Sequence, residues 1–233
     1  MNIVAVIQAR MTSSRLPGKV MMSIGDKPLI NIMIERVKKS KHINQIVVAM
    51  PEDDKCDELE SLCHDMGVAV FKGSENDVLS RFVGAAKNYN ADVVVRLCSD
   101  CPFNDPHLLD QVIEMFLDGN YDYVNNVGAR SFPDGLDVEV FTAEALYTAD
   151  RQATDLKHRE HVTTYIDGRV EGLNKGNFVC GSLDNMPSYG HLMWSVNTLD
   201  HLNHLRDIYN NLPDKENFSW RDVLEVEEKL NER

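Results

Sequence analysis

The sequence predicts an α/β protein, a three-layer sandwich with a mainly parallel central sheet. Two observations carry this reading. Short β-branched apolar runs alternate with amphipathic helical stretches, the rhythm of strand–helix–strand units. Those runs lack polar alternation, so the strands are read as buried on both faces, as in a sheet covered by helices on each side. A chain of 233 residues suits one core, or one domain with an arm, so residues 1–233 are read as a single domain.

The elements follow in order. Residues 2–8 form the first buried strand, and a polar loop runs from Ala9 to Lys19. Pro28 suits the first turn of a helix whose broad apolar face includes Leu29, Ile30, Met33 and Val37. Ile46 to Met50 is the second strand. The acids of Pro51-Glu52-Asp53-Asp54 favour a helix start. A short strand, Val68 to Phe71, a helix over 76–90, a strand over 93–97 and a helix over 106–117 follow. From about Gly128 the rhythm loosens. Residues 128–192 mix short strands (137–141, 178–183) with helices (142–151, 156–167) and are read as an inserted arm. A strand over 193–196, a helix over 199–209 and a Ser219-capped helix to 230 close the chain.

Charge and cysteine content bound the partners. Thirty-seven acids against twenty-four Lys and Arg give a net charge of −13, without the basic footprint that nucleic-acid binding requires. A phosphate ligand must then bind at a local basic island. No apolar run reaches the ~18–20 residues of a membrane span. Five cysteines without an export signal lead us to expect reduced thiols and a cytoplasmic protein. The Cys98-x-x-Cys101 pair has no second pair to complete a zinc site, and His201 and His204, three apart, are weak evidence for a metal.

The first loop provides the island. Arg10, Arg15 and Lys19 lie within ten residues, together with Thr12, Ser13, Ser14 and Gly18. The loop follows a buried strand, at the carboxyl edge where open α/β sheets bind ligands. Arginine offers forked donors to phosphate oxygens and lysine a mobile point charge. This chemistry fits a triphosphate, although the glycine pattern of a Walker loop is absent. From charge content alone, a solvated basic loop explains the segment equally well.

The run Ala9-Arg10-x-x-Ser13-x-Arg15-Leu16-Pro17-Gly18-Lys19 closely resembles the signature loop of CMP-sugar synthetases. These are the cytidylyltransferases that activate 3-deoxy-octulosonate and sialic acids, and the nearest likeness is to the spore-coat-polysaccharide protein F type. Further landmarks are Asp77-Val78-Leu79-Ser80-Arg81-Phe82, Arg96-Leu97-x-x-Asp100-x-Pro102, Pro133 to Val140, and Arg159-Glu160-His161-Val162. The resemblance implies a GT-A-like nucleotide-diphospho-sugar transferase fold, transfer of CMP from CTP to an acidic or phosphorylated sugar, Mg²⁺ as cofactor and a homodimer paired through the arm. It implies that Ala9, Arg10, Ser13, Arg15, Lys19 and Arg81 hold the nucleotide, that Arg10, Lys19 and Asp100 carry catalysis, and that Asp100 binds Mg²⁺. The family's late turn resembles V-D-T-P-x-D; here it reads Val196-Asn197-Thr198-Leu199-Asp200. Asn197 replaces the ligand carboxylate, and an amide oxygen coordinates a hard cation without adding charge. Metal binding is therefore expected only together with CTP, and Asn197→Asp is expected to tighten it.

The remaining candidates have plain alternatives. Asp100 follows a buried strand, where it suits Mg²⁺ or a simple turn ahead of Pro102. Asp137 and Glu139 stand two apart, so on a strand both face one way; metal, sugar hydroxyls and the solvated side of an edge strand all fit. Arg159 and His161 suit an acidic sugar and its hydroxyls, or an exposed charged helix. Arg81 and Arg96 suit phosphate contacts or salt bridges. Two other classes remain open: a nucleotide-binding protein without catalysis, and a GT-A glycosyltransferase, although no Asp-x-Asp follows the fourth strand.

Overall fold

A computed structural model describes residues 1–232. Strand β1 (Ile3–Gln8) leads through the polar loop to a single 3₁₀ turn and a small hairpin, β2 (Ser23–Ile24) and β3 (Lys27–Pro28). Then come α1 (Leu29–Val37), β4 (Gln45–Pro51), α2 (Asp57–Asp65), β5 (Ala69–Gly73), α3 (Val78–Asn88), β6 (Val93–Cys98) and α4 (Pro106–Asp118). The second half holds β7 (Tyr123–Asn125), β8 (Glu139–Thr142), α5 (Ala143–Gln152), α6 (Leu156–His161), α7 (Thr164–Asp167), β9 (Cys180–Ser182), α8 (Leu199–Asn211) and α9 (Trp220–Asn231).

Seven strands form one sheet in the order β5-β4-β1-β6-β8-β7-β9. β8 pairs antiparallel with both its neighbours, and every other pairing in the sheet is parallel. The two-residue period of the strands divides the core. Ala5, Ile7, Val48, Met50, Val95 and Leu97 face one layer, packed with residues of α1, α4, α8 and α9. Val4, Val6, Val47, Ala49 and Val94 face the other, against α3 and α5. The expected three layers and mainly parallel sheet are both present.

Several boundaries differ from expectation, each for a local reason. Lys27 and Pro28 pair back onto Ser23 and Ile24, so α1 begins only at Leu29, with Pro28 as its N-cap. The acids after β4 do not start α2 directly; Asp53 caps a short 3₁₀ turn, and the helix opens at Asp57. The helix expected over 156–167 is split at Val162, whose φ of 63° and Thr163 N–H bond to the His161 carbonyl (2.7 Å) form a γ-turn. Residues 193–196 form only a single bridge, Met193 to Asp134, rather than a strand. Gly135 permits that approach: at φ 110° it lies where a Cβ would meet the Trp194 carbonyl at 2.6 Å.

The segment 128–192, read as an inserted arm, contributes to the main sheet itself. β8 lies between β6 and β7, and Val138 and Val140 are fully buried in this chain's own core. Phe178 packs against the second layer, while Val179 stays exposed.

Candidate active site

The register of the sheet builds the site. Gln8 lies opposite Cys98 on neighbouring parallel strands, so the loop after β1 and the loop after β6 leave the same carboxyl edge. The Ser99 N–H bonds the Gln8 carbonyl at 3.1 Å, and the Val196 N–H bonds the Asp100 carbonyl at 2.8 Å. The third loop, carrying Asn197, thereby joins the first two. A cavity of about 230 Å³ opens between them, lined by Ala9, Arg10, Ser13, Arg15, Lys19, Arg81, Arg96, Asp100, His161 and Asn197 among others.

The first loop is closed on itself. The Gly18 N–H donates to the Met11 carbonyl at 2.8 Å, and Gly18 takes the left-handed conformation (φ 70°) that turns the chain into the 3₁₀ segment. That turn directs Lys19 inward, where it is 8% exposed. Its Nζ donates to Asp100 Oδ2 and to the Val196 carbonyl, both at 2.6 Å. The residues expected to hold phosphate and metal are thus paired with one another. Arg15 is exposed and donates through Nη2 to Asn197 Oδ1 at 2.8 Å. Arg10 is exposed and pairs with no carboxylate among the described residues.

Arg81 is the unusual cation. It sits on α3, whose N-terminus Asp77 caps, and is only 3% exposed. Its guanidinium donates to the Ser74 and Glu75 carbonyls, its Nε has no partner, and it forms no ion pair among the described residues. Burial, reinforced by the nearby charge of Arg10, pulls it down to about 10. An almost buried cation facing a cavity without a counter-charge is arranged for an anion.

Arg96 has its partner within the protein. It bonds Glu139 and, through Nε, Gln8 Oε1 at 3.2 Å, so the salt-bridge reading holds. Glu139 is 3% exposed, enclosed by Arg96, Arg169, Tyr123 Oη (2.6 Å) and Thr163 Oγ1 (2.7 Å). Burial opposes its charge, yet the two guanidiniums hold it well below the usual carboxylate range. It does not line the cavity. Asp137 precedes β8 rather than sharing it, and binds Arg130 at 2.9 Å; burial pushes it up to about 6. The expected one-faced pair of acids is therefore absent, because the strand begins only at Glu139.

Arg159 also departs from expectation. Its guanidinium is engaged by Asp77 (3.0 and 2.7 Å) and Asp150 (2.8 Å), so it ties α6 to the start of α3, and it does not line the cavity. Its neighbours Glu160 and His161 do reach the cavity. Gln8 and Glu75 line it as well and went unnoticed in the sequence, and Cys98, weighed there only for zinc, lines it too. Gln8 was open to inference, since it ends the first strand on the side where the loop departs. Burial pushes the Cys98 thiol up to about 12 and Cys101 well above its ordinary value, and no group of three His, Cys, Asp or Glu that could hold a metal includes them among the described residues.

The donor set allows a test of the expected Mg²⁺. Asp100 offers a hard carboxylate, but Lys19 holds it, and the Asn197 amide oxygen is directed to Arg15. No group of three His, Cys, Asp or Glu gathers among the described residues. Such a site fits Mg²⁺ carried in by phosphate oxygens and water, not a cage formed by protein alone.

A parallel sheet edge with an anion-seeking cavity defines a nucleotide-type α/β protein. The chain belongs to the cytidylyltransferase family, whose model matches residues 4–184. It is 43% identical over 166 residues to an uncharacterised protein of Methanocaldococcus jannaschii, covering 71% of this chain and 67% of that one. It is 40% identical over 170 residues to the spore coat polysaccharide biosynthesis protein SpsF of Bacillus subtilis, covering 71% and 70%. Among solved structures, a cytidylyltransferase of Leptospira borgpetersenii superposes with a TM-score of 0.92 at 33% identity, covering 100% of this chain and 96% of the other. A CMP-2-keto-3-deoxy-manno-octonic acid synthetase complexed with CTP shares the fold, with a TM-score of 0.70 at 16% identity over 90% of this chain and 99% of that one.

Proposed function

We propose that this chain transfers CMP from CTP to an acidic or phosphorylated sugar and releases pyrophosphate, in the biosynthesis of a surface polysaccharide or glycan. One observation carries the reading: Arg10, Arg15, Lys19 and Arg81 converge on one cavity beside Asp100, in an otherwise acidic molecule. A sugar oxygen attacks the α-phosphorus, the bond to the β-phosphate oxygen breaks, and pyrophosphate departs. The work asked of the protein is positioning and charge neutralisation. Arg10, Arg15 and Arg81 meet the phosphate charge. Lys19 exchanges its bond to Asp100 for phosphate oxygens, which frees Asp100. Asp100, with the nucleotide's own oxygens, would hold Mg²⁺, which would supply further neutralisation of the phosphate charge. Glu160 and His161, which line the same cavity, contact the sugar or the nucleoside.

The five free thiols support a reducing, cytoplasmic setting, and no described helix is long and apolar enough to cross a membrane. The proposed homodimer rests on the apolar residues left exposed near the open β9 edge, Val179 at 56% and Met186 at 88%. A second reading, nucleotide binding without transfer, is favoured by one observation: Asn197 brings no carboxylate to the turn beside Asp100. Pyrophosphate release from CTP and Mg²⁺, measured against a panel of sugar acids and sugar phosphates, tests the proposal. Release that requires both CTP and one class of sugar supports it. CTP binding without release from any sugar favours the second reading.

A further inference from the structure

Asn197 stands where the resemblance places a metal-binding carboxylate, and its surroundings give it different work. Its amide is oriented by a directional series of hydrogen bonds. Ser195 Oγ–H is directed to Met193 Sδ at 3.2 Å, so the Ser195 oxygen is left to accept from Asn197 Nδ2 at 3.0 Å. With the amide nitrogen so engaged, Oδ1 faces Arg15 and accepts from Nη2 at 2.8 Å. The segment carrying this series is itself clamped: Asp134 N–H bonds the Leu192 carbonyl at 3.0 Å, and Trp194 N–H returns to the Asp134 carbonyl at 2.6 Å. Ser195 is 4% exposed, so the series is anchored inside the protein although Arg15 is not.

Charge adds a second consideration. Lys19 is matched by Asp100, and Arg96 by Glu139. Arg10, Arg15 and Arg81 form no ion pair among the described residues, although Glu75 and Glu160 line the same cavity. A carboxylate at 197 would form an ion pair with Arg15 and remove one of the three. It also has no N–H to give Ser195 Oγ, so the series would persist only if that hydroxyl turned from Met193 to donate to the carboxylate. A neutral amide holds Arg15 in place and leaves its charge unspent.

We propose that Asn197 is a positioning residue that presents Arg15 to the triphosphate, and that it is not the second metal ligand. This rests on the nucleotidyltransferase reading above and reverses the expectation, drawn from the family pattern, that an aspartate here tightens metal binding. Asp100 is then the carboxylate that the three loops offer the ion.

The experiment is a binding series in EDTA, by calorimetry, with CTP and with inorganic triphosphate as separate probes. Asn197→Asp is expected to weaken both by about tenfold or more, the scale of a hydrogen bond to a charged group, and Asn197→Ala to weaken them less. In an Arg15→Ala background either substitution should have little further effect, because the two residues act as one unit. Mn²⁺ binding to the nucleotide-free protein, followed by electron paramagnetic resonance, should be no tighter in Asn197→Asp than in the parent. The proposal is overturned if Asn197→Asp leaves metal-free binding of both probes intact and tightens Mn²⁺. It is also overturned if the Asn197 and Arg15 effects simply add. Coupling seen with triphosphate but no binding of CTP would sustain the role of Asn197 while removing the cytidylyl assignment. Failure of the parent chain to bind either probe would remove both.

Discussion

At the scale of single residues, the cavity's cations divide by the company they keep. Lys19 is buried against Asp100, whereas Arg15 bonds only a neutral amide and Arg81 only backbone carbonyls. Lys19→Ala or Arg15→Ala should each weaken CTP binding by about 1.5–3 kcal/mol, as calorimetric titration will read. Arg81 should separate stability from binding. Burying a cation without a counter-charge is costly, so Arg81→Met is expected to leave thermal stability unchanged or raise it by up to ~2 kcal/mol while CTP affinity falls. A thermal melt showing marked destabilisation would mean that Arg81 serves the fold instead. Chain direction placed Arg10, Ser13, Arg15, Lys19 and Asp100 at one sheet edge, but only the family resemblance set them apart from a solvated basic loop and a simple turn. The role of Arg159 was not legible: its partner Asp77 lies 82 residues earlier, and no spacing within a helix reveals such a pair.

Between elements, buried charge joins the sheet to the small helices. Glu139 at the start of β8 holds Arg96 on β6 and Arg169 beyond α7, with Thr163 between α6 and α7. Removing its charge leaves two guanidiniums facing an amide, so Glu139→Gln should cost about 3–5 kcal/mol at neutral pH. The sign with pH is defined. Glu139 ionises in the folded protein at a pH below its ordinary 4.5, so its contribution is complete above 4.5 and is lost as pH falls towards the lower, folded value. Denaturant unfolding of parent and variant should therefore converge as the pH drops below 4.5. A gap that stays constant into acid would show that the ionised carboxylate is not what joins these elements. Most elements could be read from the sequence, since apolar periodicity and capping residues such as Asp105, Thr142, Thr198 and Ser219 mark them locally. β7 could not: Tyr123–Asn125 is three residues long and is held by neighbours far along the chain. The break at Val162 was equally hidden, because a β-branched residue is a poor candidate for positive φ, and only the packing of its fully buried side chain holds it there.

For the whole molecule, the fold class followed from the rhythm of buried strands and amphipathic helices, but the place of residues 128–192 did not. The rhythm weakens there because β8 runs against its neighbours, and an antiparallel insertion needs no crossover helix to mark it. Val138 and Val140 lie inside the core and are not available to the proposed dimer, for which Val179 and Met186 remain exposed. Light scattering at micromolar concentration should give twice the chain mass of 26.4 kDa, and the monomer mass would remove the dimer. In the proposed function a triphosphate binds at the carboxyl edge formed by three loops, in a chain of net charge −13. Hydrogen–deuterium exchange of the intact chain with and without CTP tests it most directly. We expect protection on nucleotide binding to concentrate in residues 9–19, 99–100 and 196–197. Protection that leaves these three loops unchanged and appears elsewhere in the chain would contradict the account.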